Sequence, residues 1–401
     1  MVSEQPELDG SGQGWDGLIV LCAANNWDGI KLADQHIAVH LSRLAPVLFV
    51  DPPMSHLTPR NRPDLKGALE GPRLRRLGPG LARLTPVVPP KGRHPVLVPL
   101  TDRTLRQSLR RATRALGVTP HVVIMTQPTW PAFGAAGEDL AVFWAQDDFT
   151  SAAGGQGLDP RRVHQAELAA ARAADVIITS SPTVRDQWAE RGFDPVMIPF
   201  GCDASAFSRD SSSPATDVRV PTPVAGFIGH LNARLDLAVL EAVADTMSLL
   251  LIGPRGSEYE SARFDRLLTR SNVQWIGPQP FEQLPAYLAR IDVGLVPYTH
   301  SGFNLGSFPL KTLEYLAAGL PVVATDLPAT RWLGTELVVI EDAPARFAAA
   351  ARAATRSRRD ATIVAARRAF AARHDWSTRA DQMAELFASR VERGAQPGVR
   401  T

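Results

Sequence analysis

The sequence predicts an α/β protein made of two doubly wound, Rossmann-like domains, and three observations predict it. Short apolar runs alternate with helical periodicity along almost all of the 401 residues. A Ser-, Pro- and Thr-rich stretch interrupts that rhythm near the middle, and the rhythm then restarts in the same form. Alternation of this kind is the pattern of βαβ units around a parallel sheet. With 45% hydrophobic residues, the chain is long and apolar enough for two cores.

Taken in order, residues 1–14 are polar and lack the cationic start and apolar centre of a signal peptide, so they read as a flexible N-terminus. Residues 15–207 form the expected first domain, with strands in GLIVLCA, PVLFVDP, HVVIMTQ, LAVFWAQD, DVIITSS and PVMIPFG. Residues 208–223, SRDSSSPATDVRVPTP, read as a linker. Residues 224–373 form the second domain, its strands in PVAGFIGH, SLLLIGP, NVQWIG, DVGLVPY, LPVVATD and ELVVIED. Residues 374–401 add a helix, capped by Asp375 or Ser377, and a frayed tail. No segment reaches the ~18 consecutive apolar residues of a membrane span. Cys22 and Cys202 stand too far apart in sequence to suggest a disulfide scaffold or cysteine zinc site. A soluble, cytoplasmic protein is the expectation.

In an open parallel sheet, ligands sit outside the carboxyl ends of the strands, so chemistry is sought in the loops that follow them. The stretch FPLKTLEYLAAGLPVVATD, from Phe308 to Asp326, stands out. Ser307 is placed to cap its helix, Pro309 suits the first turn, and Leu310, Leu313, Leu316 and Ala317 share one side. Lys311 and Glu314 lie together on an adjacent side. A helix amino end attracts phosphate, Lys311 adds a full charge, and Glu314 offers acceptor oxygens to vicinal hydroxyls. The plainer alternative is a surface ion pair worth a few tenths of a kcal/mol, roughly. GFIGHLNARLD supplies a strand, a glycine turn at Gly229 and a helix start, with Arg234 placed to reach a diphosphate.

Over some fifty positions, the run from Asn272 to Pro328 carries Gly277, Leu284, Pro285, Tyr287, Asp292, Val293, Pro297, Glu314, Ala317, Gly319, Pro321, Val322 and Val323. This pattern resembles the donor-binding half of GT-B glycosyltransferases, close to the large retaining family that includes sucrose synthase-like and bacterial cell-surface polysaccharide enzymes. The resemblance implies two Rossmann-like domains facing a central cleft, with the donor in the second. It implies a donor site drawn from Gly229, Arg234, Gly253, Gly277, Pro278, Asn304, Ser307, Lys311 and Glu314. There Glu314 would bind ribose, Arg234 and Lys311 the diphosphate, and the loop from Ile276 to Phe281 the base. Relatives often carry a sugar-contacting glutamate eight positions before the ribose-binding one; this chain has Gly306 there. The usual second diphosphate lysine, a few residues beyond the arginine, is also absent.

The first half resembles the acceptor domain of teichuronic-acid-type transferases more loosely, through NNWDGIKLADQHIAVHLSRLAPVLFVDPP and ELAAARAADVIITSSPTV. The resemblance makes Asn26, Trp27, Asp28 and Gly29 a loop bordering the cleft. It makes Asp147 and Asp148, in WAQDDF, candidates for catalysis near the reacting sugar. Adjacent carboxylates after a strand can orient an acceptor hydroxyl or take its proton, and they can equally be a turn or cap pair. His36 and His40 lack a third ligand, so no metal is expected, and no cofactor beyond the nucleotide sugar itself.

The net charge of +2 calls for no nucleic acid, but the stretch from Arg60 to Arg114 is strongly cationic and includes Arg83, Lys91 and Arg93. In its helix Arg103, Arg106, Arg110 and Arg114 form a stripe opposite Leu105, Leu109, Ala112 and Leu116. Such a face suits peripheral contact with anionic lipid at the inner face of the cell membrane, and equally a solvated surface. The expected activity is hexosyl transfer from a nucleotide sugar to a hydroxyl of a carbohydrate or lipid-linked acceptor, with retention, in cell-surface polysaccharide or glycolipid synthesis. A sugar-nucleotide epimerase and a catalytically silent nucleotide-sugar-binding protein remain the alternatives.

Overall fold

The computed structural model describes residues 15–90, 96–130, 132–154, 157–208, 213–256 and 261–395. The polar N-terminus, Lys91, Arg93, residues 209–212 of the Ser-rich stretch and the last residues of the tail lie outside them. The chain forms two compact units. One holds residues up to 180 together with Gln187–Ile198 and the residues from Arg379 on; the other holds Ser181–Asp186 and Pro199–Thr378.

The first unit is built on eight strands: β1 (Ile19–Cys22), β2 (Val47–Val50), β3 (Leu74–Gly78), β4 (Leu81–Leu84), β5 (Val122–Met125), β6 (Leu140–Ala145), β7 (Val176–Thr179) and β8 (Val196–Met197). They lie in the order β3-β4-β2-β1-β5-β6-β7-β8, parallel except for the β3–β4 pair. The second unit carries β9 (Val224–Ile228), β10 (Ser248–Ile252), β11 (Val273–Gly277), β12 (Val293–Val296), β13 (Val322–Ala324) and β14 (Val338–Ile340). These run parallel in the order β11-β10-β9-β12-β13-β14. Chain direction across each sheet reverses once, between β1 and β5 and between β9 and β12, and such switch points are where doubly wound sheets hold ligands.

The twelve strands expected from apolar runs all form. The hairpin of β3 and β4 was not among them, because LRRLG and LARL carry arginines where a strand reading asks for apolar residues. Arg83 explains the anomaly and corrects its placement on a solvated cationic face. It is wholly buried, with Nε 2.6 Å from Asp51 Oδ2 and the guanidinium gripping both oxygens of Asp28 at 2.9 Å. Asp51, at the end of β2, also accepts the Thr85 hydroxyl at 2.6 Å and the Trp27 amide at 2.9 Å. A charge removed from water persists only when paired and hydrogen-bonded, and here both conditions hold.

In the second unit, helix Leu310–Ala317 (the Leu310 helix) packs Leu313, Leu316 and Ala317 inward as expected. Its start differs. Pro309 is the cap residue, without a side-chain cap bond, and Ser307 instead accepts a hydrogen bond from Arg234. Tyr315 on this helix is completely buried under the sheet, because Gly294 on β12 leaves room for its ring: a Cβ there would come within 2.4 Å of it. The Tyr315 hydroxyl accepts the Ile228 amide, at the end of β9, at 2.8 Å.

The described part of the Ser-rich stretch is tied to the second unit. Val218 and Val220 are buried, and Asp217 accepts the Tyr287 hydroxyl at 2.9 Å. Asp375 caps helix Trp376–Ala395 through the Ser377 amide at 2.9 Å. Both cysteines are buried, and burial, with a smaller contribution from Glu138, pushes the Cys22 thiol up to about 12. Among the described residues, no helix is long and apolar enough to cross a membrane.

Replacing Arg83 by Leu should strand Asp51 as a buried, unpaired carboxylate. The expected cost is about 3–5 kcal/mol in urea unfolding. A loss below about 1 kcal/mol would mean the pair does not organise this edge of the sheet.

Candidate functional site

At the carboxyl edge of the second sheet, β9 and β10 end in register at Ile228 and Ile252 and are followed by Gly229 and Gly253, while β11, after a register shift, sets its last residue, Gly277, beside Ile252. Their backbones are bonded in sequence: the Gly229 amide donates to Ile252 O and the Gly253 amide to Gly277 O, each at 2.8 Å. At Gly253, φ is +136°, and a Cβ would stand 2.0 Å from the Gly229 carbonyl oxygen, so only glycine lets these turns approach. Pro278, exposed, begins the loop beyond β11, and Trp275 Nε1 donates to Gly253 O at 2.9 Å.

Arg234 follows the β9 turn. Its Nε donates to Asn304 Oδ1 at 2.7 Å and its Nη2 to Ser307 Oγ at 2.9 Å, while the guanidinium lies over the rings of Tyr298 (4.9 Å) and Phe303 (4.5 Å). Asn304 is wholly buried and returns hydrogen bonds to Arg234 O and Thr299 O at 3.0 and 2.9 Å. The cation is therefore fixed by neutral partners, and among the described residues it makes no ion pair with a carboxylate. An oriented guanidinium without a counter-ion is suited to an anionic ligand.

Lys311 and Glu314 form an ion pair at 3.2 Å, with side-chain exposures of only 23% and 10%, so this is not the loose surface pair of the plainer alternative. Burial pulls the Lys311 ammonium toward neutrality, and Arg234 pushes the same way. The charge on Glu314, with Tyr298, more than offsets them and holds the ammonium above its ordinary range. Lys311 Cε comes within 3.5 Å of where a Gly229 Cβ would stand, which places the lysine at the glycine turn. The residues expected for donor binding at Gly229, Arg234, Asn304, Ser307, Lys311 and Glu314 are thus brought together, with Gly253 and Gly277 on the same edge. At Gly306 the backbone carbonyl accepts the Ser181 hydroxyl at 2.5 Å.

In the first unit the loop after β1 holds Asn26, Trp27, Asp28 and Gly29. Asn26 Oδ1 accepts Arg83 Nη2 at 3.0 Å and the Asp28 amide at 3.1 Å, and the Gly29 amide donates to Asn26 O at 3.0 Å. The Trp27 indole packs edge-on against Phe49 at 5.0 Å. Gln35 closes the loop, donating to Asn26 O and Ile30 O and accepting the Leu32 amide.

Of the two carboxylates after β6, Asp148 caps helix Phe149–Ala153, taking the Ser151 amide at 2.9 Å and the Ser151 hydroxyl at 2.6 Å. That is the cap role already weighed for the pair. Asp147, half-buried, precedes it outside the helix.

Three residues of this unit were missed. Asp34 is buried and accepts the Ala24 and Asn25 amides and Gln146 Nε2, at 2.8, 3.1 and 2.6 Å. It joins the β1 loop to the end of β6; burial raises its carboxyl above the usual range, against those bonds. Gln146, directly before Asp147, could have been suspected as a polar residue closing an apolar strand. Glu167 on helix Pro160–Ala173 is buried and accepts the Thr150 hydroxyl.

The arginine stripe lies on helix Val98–Ala115, with Leu109, Ala112 and Leu116 buried opposite. Arg103, Arg110 and Arg114 are exposed; Arg106 is half-buried. Arg106 donates to Phe133 O at 3.2 Å and Arg110 to Ala135 O at 2.8 Å, so these two also hold a loop of the fold. No group of three or more His, Cys, Asp or Glu that could hold a metal ion occurs among the described residues.

Residues 222–356 match a family model described as glycosyl transferases group 1. The chain is 32% identical over 227 residues to the putative teichuronic acid biosynthesis glycosyltransferase TuaH of Bacillus subtilis, covering 54% of this chain and 57% of that protein. It is 29% identical over 266 residues to glycogen synthase of Mycobacterium tuberculosis, covering 59% and 60%. It thus spans somewhat over half the length of the curated relatives it matches. Among solved structures, sucrose-phosphate synthase from Thermosynechococcus elongatus superposes with a TM-score of 0.69 at 16% identity, over 93% of this chain and 98% of that one. Anabaena Alr3699/HepE in complex with UDP-glucose gives 0.61 at 15% identity, over 93% and 99%. Likeness at this identity shows the fold, which is that of GT-B glycosyltransferases.

Glu167 offers a test of the site's electrostatics. Burial is the main cause that lifts its carboxyl from 4.5 to about 7, aided by Asp148 and opposed by Thr150 and Arg191. A raised carboxyl holds its proton in the folded chain after the unfolded chain has lost it. This contribution to stability is therefore full below about pH 4.5 and is lost as pH rises to about 7. In urea titrations Glu167→Gln should flatten that fall, which is about 3 kcal/mol at most; an unchanged slope would exclude Glu167 as its source.

Proposed function

We propose that the chain is a glycosyltransferase that moves a hexosyl group from a nucleotide sugar to a hydroxyl of a carbohydrate or lipid-linked acceptor, with retention, in cell-surface polysaccharide or glycolipid synthesis. The observation that carries this reading is the convergence of Arg234, Lys311 and Glu314 at the glycine turns of β9 and β10. The similarity to TuaH and to the group 1 family supports it.

On this reading Glu314 accepts hydrogen bonds from the ribose hydroxyls, and the loop after β11, from Gly277 and Pro278, borders the base. When the diphosphate enters, Lys311 exchanges part of its pairing with Glu314 for phosphate oxygens. Arg234, already oriented by Asn304 and Ser307, needs no rearrangement to join it. Both cations then stabilise the charge that develops on the departing diphosphate, in a site where low exposure strengthens the interaction. The acceptor is served by the first unit: Asn26, Trp27, Asp28 and Gly29 border its site. Asp147 and Asp148, the second of which also caps its helix, are the candidates to orient or deprotonate the hydroxyl. No metal is assigned a role.

The exposed arginines of helix Val98–Ala115 make peripheral contact with anionic lipid at the inner membrane face, Arg103 and Arg114 more freely than Arg106 and Arg110. Co-sedimentation should then favour anionic over neutral vesicles, and equal binding would remove this contact.

Incubation with labelled UDP- and GDP-hexoses, with and without lipid extract, tests the activity. Label transferred to an acceptor with the donor's anomeric configuration is expected. A new nucleotide sugar would instead reveal an epimerase, and retention without turnover a silent binding protein. Glu314→Ala should weaken UDP binding at least tenfold by calorimetry, as loss of charge-assisted hydrogen bonds of about 1.5–3 kcal/mol requires. Unaltered affinity would end the ribose role.

A further inference from the structure

The first unit holds a polar cluster, at the carboxyl ends of β1 and β6, whose hydrogen-bonding capacity the fold only half consumes. Strand β6 is buried along its whole length, LAVFWA, and the residue that follows it is an amide rather than another apolar side chain. Gln146 is 6% exposed. Its Nε2 donates to Asp34 Oδ1 at 2.6 Å, and Asp34, in the first turn of helix Ala33–Leu41, is wholly buried. The other carboxylate oxygen, Oδ2, accepts the Ala24 and Asn25 backbone amides at 2.8 and 3.1 Å and Asn25 Nδ2 at 3.3 Å.

These bonds fix which way each side-chain amide faces. An ionised carboxylate only accepts, so Gln146 and Asn25 both turn their NH2 groups to Asp34 and their carbonyl oxygens away from it. Among the described residues neither Gln146 Oε1 nor Asn25 Oδ1 has a hydrogen-bond partner. A tie between the end of β6 and the β1 loop needs only the donors. A carbonyl oxygen left unpartnered on a side chain this deeply buried is costly unless a hydroxyl or N–H comes to it. Standing 2.6 and 3.3 Å from one carboxylate, the two amides are neighbours. They lie directly before Asp147, on the edge where an open parallel sheet receives its ligand.

We propose that Gln146 Oε1, with Asn25 Oδ1 beside it, accepts hydrogen bonds from hydroxyl groups of a hexose unit of the acceptor, and that Asp34 is the positioning residue that keeps these oxygens facing outward. The assignment deepens the proposed function and rests on the first unit serving the acceptor. Neighbouring acceptor oxygens suit the vicinal hydroxyls of a pyranose and disfavour a phosphate or carboxylate, which has no proton to give them. A site so built also discriminates against an analogue that lacks the hydroxyl, because its own buried oxygen is then left unpaired.

An exchange of polarity separates this role from mere support of the fold. Asp34→Asn keeps an oxygen on the two backbone amides and turns an NH2 toward Gln146, whose own amide must then reverse and present Nε2 outward. Adding Gln146→Glu restores an outward oxygen, since the new carboxylate accepts from the introduced asparagine. Saturation-transfer NMR of the full chain, with the donor site filled by UDP, reads the binding of methyl α- and β-hexopyranosides. The parent should give a signal with at least one glycoside. Asp34→Asn should lower that signal about fivefold or more, and the double variant should recover it to within about twofold. A parent that binds no glycoside, equal signals from all three proteins, or a folded double variant without recovery would overturn the proposal. Should the Asp34 variants not fold, Gln146→Met decides, because a thioether offers no comparable acceptor. Loss of the signal in that folded variant is expected, and a retained signal would overturn the proposal. Absence of sugar transfer with this pattern of glycoside binding intact would count only against the proposed activity.

Discussion

The hydrogen bond from the Ile228 amide to the Tyr315 hydroxyl sets where everything else in the second unit's site stands. It joins the last residue of β9, one position before Gly229, to the middle of the helix that carries Lys311 and Glu314. The bond exists because Gly294 gives up a side chain so that the tyrosine ring can pass beneath the sheet. That passage gives the Leu310 helix a polar register mark against the sheet. The leucines alone constrain its distance better than its rotation, since hydrophobic contact is not directional. One directional bond in a dehydrated place therefore decides that a lysine, a glutamate and a glycine turn meet.

The first unit solves a similar problem by other means. Its loop after β1 has few apolar anchors besides Trp27, and its shape comes from buried charge: Arg83 binding Asp51, Asp28 and Asn26, and Asp34 drawing together two amides and Gln146. A salt bridge so placed is weak as a source of net stability, because dehydrating both ions offsets most of the attraction. Its effect is on geometry: breaking one bond strands the other charge, so alternative loop shapes are costly. Rigid support of this sort is what a loop needs if it is to present the same side chains to a ligand every time.

How far the sequence discloses this architecture depends on the kind of force involved. Strands such as GLIVLCA and LPVVATD are legible because burial on both faces demands continuous apolar residues, and the glycines at 229, 253 and 277 are legible because they end such runs. Grouping of Arg234, Lys311 and Glu314 follows from the family pattern and from the crossover rule together. What stays hidden is anything fixed by a partner far along the chain. Arg83 looks like one more basic residue until Asp51 is seen beside it, and Ser307 looks like a cap until Arg234 takes it. Asp148 was ambiguous for the same reason, its cap bonds being local while its possible chemistry is not. Asp34, in the first turn of a helix, has an ordinary dipole explanation that conceals its bonds to Ala24, Asn25 and Gln146.

The burial of both thiols has a practical corollary. Cys22, held almost entirely as the protonated form at neutral pH, is a poor nucleophile toward maleimides, and Cys202 is enclosed as well. The native chain therefore supplies a near-silent background for site-directed labelling. A fluorophore or spin label attached through one engineered surface cysteine can report on either unit without first stripping the natural sulfhydryls from its core.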